Sequence, residues 1–329
     1  MHSFIKRSII CISTVLALIL GADLSAGPLP SVLRVDYADY NPLSLVLRKF
    51  NWLDEEFKQD NVRIHWVFSP GSDAALKNLQ ADSLDIASTG SLSSLWSKAN
   101  GNSIKAFYVF GRPEWAAVLV SHDSPLGSVK DLKGKSIASP TGTDAYFFLL
   151  RALHDAGLHK DDVRIISLPH KAGKAVVENH FVDAWGGVEP YAAISQLDRG
   201  SRVLYRNVHF NSYGVLNITG DFARKYPEVV SRVVNVYEKA RKWAIMHSDE
   251  FRVIYAEEAR VSLPVSRIVL GRYDFSRPVF EHNDITTLKD GSSILKEEKF
   301  IRQDTDVDML INDLIDSRFV NQLHLESVR

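Results

Sequence analysis

The chain holds one cysteine, Cys11, in 329 residues, and it lies inside an apolar N-terminal run. If that run is removed as a leader, no thiol remains for a disulfide, a Cys-ligated zinc or a thiol nucleophile. A surplus of either charge is also missing: 39 Lys+Arg face 40 Asp+Glu, for a net charge of −1. A nucleic-acid binder usually carries a basic surplus or stripe, so the balance argues against that class; a small anion needs only two or three well-placed donors and is not excluded. With 18 glycines and 12 prolines, collagen-like and linker sequences are excluded. The catalytic signatures G-x-S-x-G, H-E-x-x-H, the P-loop and G-x-G-x-x-G are absent. Beyond His2 the histidines are scattered, with no i, i+2 or i, i+4 pair to hold a metal. Past the first 26 residues, no apolar run reaches the ~20 residues a membrane span requires.

What is present is a globular composition, 45% hydrophobic and 10% aromatic, over a length that suggests two domains. Residues 1–26 have the layout of a secretory leader: Lys6 and Arg7, an apolar run from Ser8 to Leu20, then small residues to Ala26. Cleavage is expected after Ala26, with Ala22 as the second choice, which sends the mature chain to the periplasm. Cys11 sits within the apolar run and not at its end, so lipid attachment is not expected. Loss of Lys6, Arg7 and Asp23 takes the charge from −1 to −2.

The rest alternates between strand and helix patterns. Strands are expected at Val32–Tyr37, Val62–Phe68, Leu84–Ala87 and Ile104–Phe110, with helices at Leu43–Phe57, Asp73–Leu79 and from Leu92 to Ala99. Trp115–Ser121 is a further strand, after which the βα pattern restarts with strands at 136–139, 163–168, 182–185 and 203–205. Tyr213–Ile218 is suited to carry the chain back to the first unit. Such alternation predicts mainly parallel sheets covered by helices. The expected fold class is α/β, with two lobes joined by two hinge strands and the second lobe inserted into the first. Lobe I is expected at 27–116 and 217–329, and lobe II at 117–216. From Gly220 onward the chain is mostly helical, with a core-facing stripe at Val229, Val233, Val236, Ala240 and Trp243.

Two strand-to-helix turns carry chemistry. Ser88-Thr89-Gly90-Ser91 and Thr141-Gly142-Thr143-Asp144 each combine a glycine, hydroxyl side chains and the free N–H groups of a helix start. Such ends attract anions, and open α/β sheets bind ligands beyond the C-terminal ends of their strands. The alternative for each turn is plain helix capping. A third segment, Trp185-Gly186-Gly187-Val188-Glu189-Pro190, ends a strand in an aromatic and opens the next helix; Glu189 either caps that helix or faces the cleft.

Further stretches, Leu84-Asp85-Ile86-Ala87-Ser88-Thr89-Gly90, Val129-Lys130-Asp131-Leu132-Lys133-Gly134-Lys135, Leu149-Leu150-Arg151-Ala152-Leu153 and Glu189-Pro190-Tyr191, give the chain a family likeness. Together, from Val62 to Asn207, it resembles the periplasmic solute-binding proteins of ABC importers in the aliphatic sulfonate, taurine and nitrate group. That resemblance implies a bilobal, non-enzymatic binding protein without a cofactor, acting as a monomer. It would capture a small organic anion or zwitterion and present it to a transmembrane permease. It also implies ligand contacts at Asp39, Tyr40 and Asn41, at Ser88, Thr89 and Gly90, at Thr141, Gly142 and Thr143, and at Trp185 and Glu189. Two departures affect the ligand: Val188-Glu189-Pro190 replaces the group's second Trp and Asp-Pro, and the first loop carries Asp39 and Tyr40. An acid facing the cleft predicts a ligand with an amine or hydroxyl opposite its anionic head. The competing expectation is a secreted enzyme on the same bilobal fold acting on a small metabolite.

Overall fold

A computed structural model describes residues 28–323. The expected leader at 1–26, with Cys11, lies outside the described residues. The first strand, β1 (Val32–Tyr37), pairs in parallel with β2 (Arg63–Phe68). Between them the expected single helix is two: α1 (Pro42–Lys49) and α2 (Trp52–Phe57). The break is at Asn51, whose backbone is left-handed with φ 54°, a conformation a helix interior does not tolerate and asparagine accepts more readily than most residues. Asn41 caps α1, its side chain accepting from the Ser44 N–H, and Pro42 opens it.

After α3 (Ser72–Gln80) comes β3 (Ala87–Gly90), then α4 (Ser91–Ala99) and the long β4 (Ile104–Pro113). The expected strand at 84–87 is therefore displaced: Ser88, Thr89 and Gly90 belong to the strand, and α4 starts directly from it. The next strands are β5 (Ala116–Val120), β6 (Ser136–Ala138), β7 (Arg164–Ile166), β8 (Ala184–Val188) and β9 (Arg202–Tyr205). Among them lie α5 (Asp144–Asp155), α6 (His170–Glu178) and α7 (Tyr191–Arg199). Then β10 (Gly214–Thr219) leads into α8 (Gly220–Lys225), α9 (Pro227–Met246), α10 (Ser248–Glu258) and α11 (Leu263–Gly271). A two-residue β11 (Tyr273–Asp274), α12 (His282–Glu297) and α13 (Val307–Leu314) complete the described chain. No helix among the described residues is long and apolar enough to cross a membrane.

The strands fall into two groups. One sheet has the order β7-β6-β8-β5-β9; the other group joins β11-β4-β10-β3 to β1-β2 through a parallel bridge between Val35 and Ile86. The sheets are mixed, not mainly parallel. β10 runs antiparallel to β3 and β4, and β5 runs antiparallel to β8 and β9. These two are the strands adjoining the passages between groups, and each enters its sheet against the βα direction. Val118 pairs within the second sheet and Val215 within the first, so the passages fall beside them, at Glu114–Trp115 and between β9 and β10. The Asn211 side chain accepts from the Ala116 N–H at 2.8 Å and holds the two passages side by side.

Val229, Val233, Val236 and Ala240 of α9 are buried as the stripe requires, in an apolar cluster that runs from β1 and α1 through Trp115 and Val118 into α5. A separate cluster in the second group surrounds Trp185 with Ala117, Leu119, Ala138, Val177 and Ala192.

Candidate ligand-binding cleft

The expected contact residues do not all meet. Tyr40 and Asn41 fold onto β3: the Tyr40 hydroxyl donates to the Ser88 carbonyl at 3.0 Å, and Asn41 Nδ2 donates to Ser88 Oγ at 2.7 Å. Ser88 in turn donates its N–H and hydroxyl to Asp36, each at 2.8 Å. Burial holds the Asp36 carboxyl up at about 7 against those bonds. Thr89 Oγ1 and Ser94 Oγ are hydrogen-bonded at 2.6 Å, and Thr89 Oγ1 accepts from Asn217 Nδ2 at 2.8 Å. Asn41, Ser88 and Thr89 are therefore committed to internal partners, Asn41 and Ser88 to each other, Ser88 also to Asp36, and Thr89 to Ser94 and Asn217, and have no exposed surface.

Asp39 reaches the opposite group, accepting from the Tyr191 hydroxyl at 3.2 Å. Burial raises its carboxyl to about 6, opposed by that bond and by Lys171. Trp185, expected in the cleft, is instead fully buried in the core behind β8, against Gly173 and Gly187. Strand β8 runs on through both glycines to Val188, and there a ring at position 185 turns inward. Gly173 and Gly187 make room for this ring: a Cβ on Gly173 would lie 2.5 Å from Trp185 Nε1 and one on Gly187 2.7 Å from Trp185 Cζ3, while Gly186 faces Ser139.

Glu189 takes the capping alternative. Its Oε2 accepts from the Ala193 N–H at 2.9 Å, and its Oε1 pairs with Arg206 at 3.5 Å and with Arg272. With 1% exposure and two guanidinium partners, it closes a buried ion cluster beside the passages. Sequence spacing could not reveal this, because Arg272 is 83 positions away.

The turn at 141–144 is divided. Thr141 is exposed, its N–H donating to Ser167 Oγ at 3.1 Å. Gly142 has φ +85° and lies under Trp96 of α4. Thr143 caps α5 and also donates to the Pro140 carbonyl at 2.8 Å. Asp144, the first residue of α5, is directed at α4. Its Oδ2 accepts from Ser93 Oγ at 2.5 Å, its Oδ1 accepts from the Ser212 hydroxyl, and backbone N–H groups at Leu92 and Ser93 bond to it as well. A Cβ on Gly90 would overlap this carboxylate, so residue 90 must be glycine. The start of α4 thus already holds an anion, and the start of α5 supplies it. Burial raises the Asp144 carboxyl, while the bonds from Ser212 and Ser93 oppose the rise.

Next to this carboxylate is a cavity of about 20 Å³, lined by Tyr40, Ser72, Trp115, Thr143, Asp144 and His170 among others. Only Tyr40 and Thr143 were legible as contacts. Trp115 and His170 are 2% and 5% exposed, and Trp115 Nε1 and His170 Nδ1 have no hydrogen-bond partner among the described residues. Burial alone pushes the His170 imidazole down to about 3. The signal available in the sequence was positional: Ser72 and His170 open helices directly after β2 and β7, at the ends where ligands gather. Among the described residues, no group of three or more His, Cys, Asp or Glu side chains is placed to hold a metal.

Two mixed α/β units with two passages between them, and helix starts from both meeting at a buried anion, make up the two-lobed periplasmic binding protein fold. The alkanesulfonate-binding protein SsuA of Xanthomonas axonopodis pv. citri, solved with MOPS bound, superposes with a TM-score of 0.78 at 20% identity, over 88% of this chain and all of that one. A profile of the NMT1/THI5-like family matches residues 57–251, and the chain belongs to that family. In sequence it is 25% identical over 324 residues to a Bacillus subtilis (strain 168) protein named for binding aliphatic sulfonates, over 96% of each chain. The desulfurization enzyme DSZB shares the fold with a TM-score of 0.63 at 18% identity, over 88% of this chain and 97% of that one. The resemblance to aliphatic sulfonate-binding proteins read from the sequence is thereby borne out, as is the fold class.

Proposed function

We propose that this chain is an exported solute-binding protein that captures a small organic anion or zwitterion, sulfonate-like in its head group, between two lobes and delivers it to an ABC importer permease. One lobe carries β1–β4, β10 and β11 and the other β5–β9, so the divisions fall at the two passages and not inside β5 and β10 as the expected bounds of 116/117 and 216/217 would have it, and the binding protein itself performs no chemistry. What carries this reading is the start of α4, where a carboxylate supplied by α5 is held by the Ser93 and Ser212 hydroxyls and the Leu92 and Ser93 N–H groups. A position built from unpaired helix-start donors and hydroxyls favours an anion whichever molecule provides it. The relative from Bacillus subtilis, named for sulfonate binding, supports the same ligand class. Binding requires the lobes to part, because the present cavity holds about one water molecule.

The test is calorimetry on the mature chain with ethanesulfonate, 2-aminoethanesulfonate, the matching carboxylates and neutral amides. Small-angle scattering with and without each ligand, and a product assay by mass spectrometry, accompany it. The reading expects micromolar binding of an anionic member, about −8 kcal/mol, a smaller radius of gyration in its presence and no turnover. Neutral amides binding as tightly as the anions would overturn the anion site. Conversion of the ligand would move the protein to the enzyme class.

A further inference from the structure

The anion position at the start of α4 has a resident. Asp144 comes from the second strand group, yet its carboxylate lies against Gly90, Leu92 and Ser93 of the first. Its other oxygen is held by Ser212, in the return passage between the groups. The neighbouring cavity is also lined by Trp115 and His170, two buried residues whose Nε1 and Nδ1 atoms have no hydrogen-bond partner among the described residues, so the lining past Asp144 includes one donor and one further polar nitrogen unanswered. Glu189, the other acid that could have faced a cationic group, is committed to Arg206, Arg272 and the start of α7.

We propose that Asp144 is the specificity-determining residue of the cleft: it competes with any external anion for the α4 start, and so selects ligands that bring a hydrogen-bond donor or a cationic group to it. This deepens the functional reading above and rests on it. An alkyl sulfonate with no donor must displace the carboxylate or lie beside it, and like charges at such separations repel. An amino-substituted anion places its ammonium against Asp144 and its head toward Trp115 Nε1–H, where a donor awaits an acceptor.

The experiment compares ethanesulfonate with 2-aminoethanesulfonate on the wild-type chain, Asp144→Asn and Ser212→Ala, by calorimetry at one pH and salt concentration, with urea unfolding of each protein as a folding control. Asp144→Asn keeps the shape and removes the charge; Ser212→Ala keeps the charge and loosens its hold. The proposal expects wild type to prefer the amino-sulfonate. It expects Asp144→Asn to bind ethanesulfonate at least ten times more tightly and to lose at least ten-fold of the amino preference. Ser212→Ala, expected to move the same way by about two- to five-fold, carries the test if Asp144→Asn does not fold. Measurable binding with an unchanged preference in the folded variants overturns this inference alone. Failure of wild type and variants to bind either sulfonate overturns it together with the sulfonate reading.

Discussion

Acidifying from about pH 7 to about pH 5 should cost the wild-type chain about 2 kcal/mol of stability relative to a His170→Met variant. His170 opens α6 and is 5% exposed, with Nδ1 unpartnered and the ring against Gly71. Burial pushes its folded pKa down to about 3, with no compensating carboxylate bond. Unfolded, the same ring titrates near 6.5. For a base with a depressed folded pKa, the unfolded chain binds the extra proton. Its contribution is therefore intact above about 6.5 and lost as the pH falls toward 3. At about pH 5 the unfolded ring is about 1.5 units below its pKa, at about 1.4 kcal/mol per unit. Methionine has similar bulk and no proton to gain. The assay is urea unfolding of both proteins at about pH 7, 6 and 5, read as the difference between them. The difference is needed because Asp36 and Asp39, raised to about 7 and about 6, pull the other way and gain stability on acidification. Parallel pH curves for the two proteins would refute the reasoning, by showing that folded His170 takes up its proton as readily as unfolded.

Two further outcomes follow from the same structure, and one from the sequence. Glu189→Gln leaves Arg206 and Arg272 facing each other without their carboxylate and should destabilise the fold by about 3 kcal/mol in urea unfolding; a selective loss of amine-bearing ligands at unchanged stability would return Glu189 to the cleft. Gly142→Ala puts a Cβ 2.5 Å from Trp96 at φ +85° and should cost about 1–3 kcal/mol, read in the same assay. N-terminal sequencing of the mature protein should begin near Gly27 if the expected leader is removed, and an intact Met1 in a membrane fraction would end the leader assignment.

By itself, the sequence determined most of the element order and the helix-start chemistry, because both depend on near neighbours. The apolar stripe of α9 recurs every three or four residues, and the Thr143 cap reaches only to Tyr146, three residues on. Even the break between α1 and α2 turns on one local residue, Asn51, though its left-handed backbone became plain only in the structure. Tertiary structure decided what those features are used for. Trp185 reads as a cleft aromatic until the register of β8 turns it into the core. Glu189 reads as a ligand contact until Arg272, far along the chain, arrives beside it. Asp144 reads as an ordinary first-turn acid of α5, a favourable place for any carboxylate. Only the packing of α5 against α4 makes it the anion of a second helix, 51 residues from Ser93. A buried charge takes its meaning from the partners that surround it, and in this fold those partners come from distant segments brought together across the two strand groups.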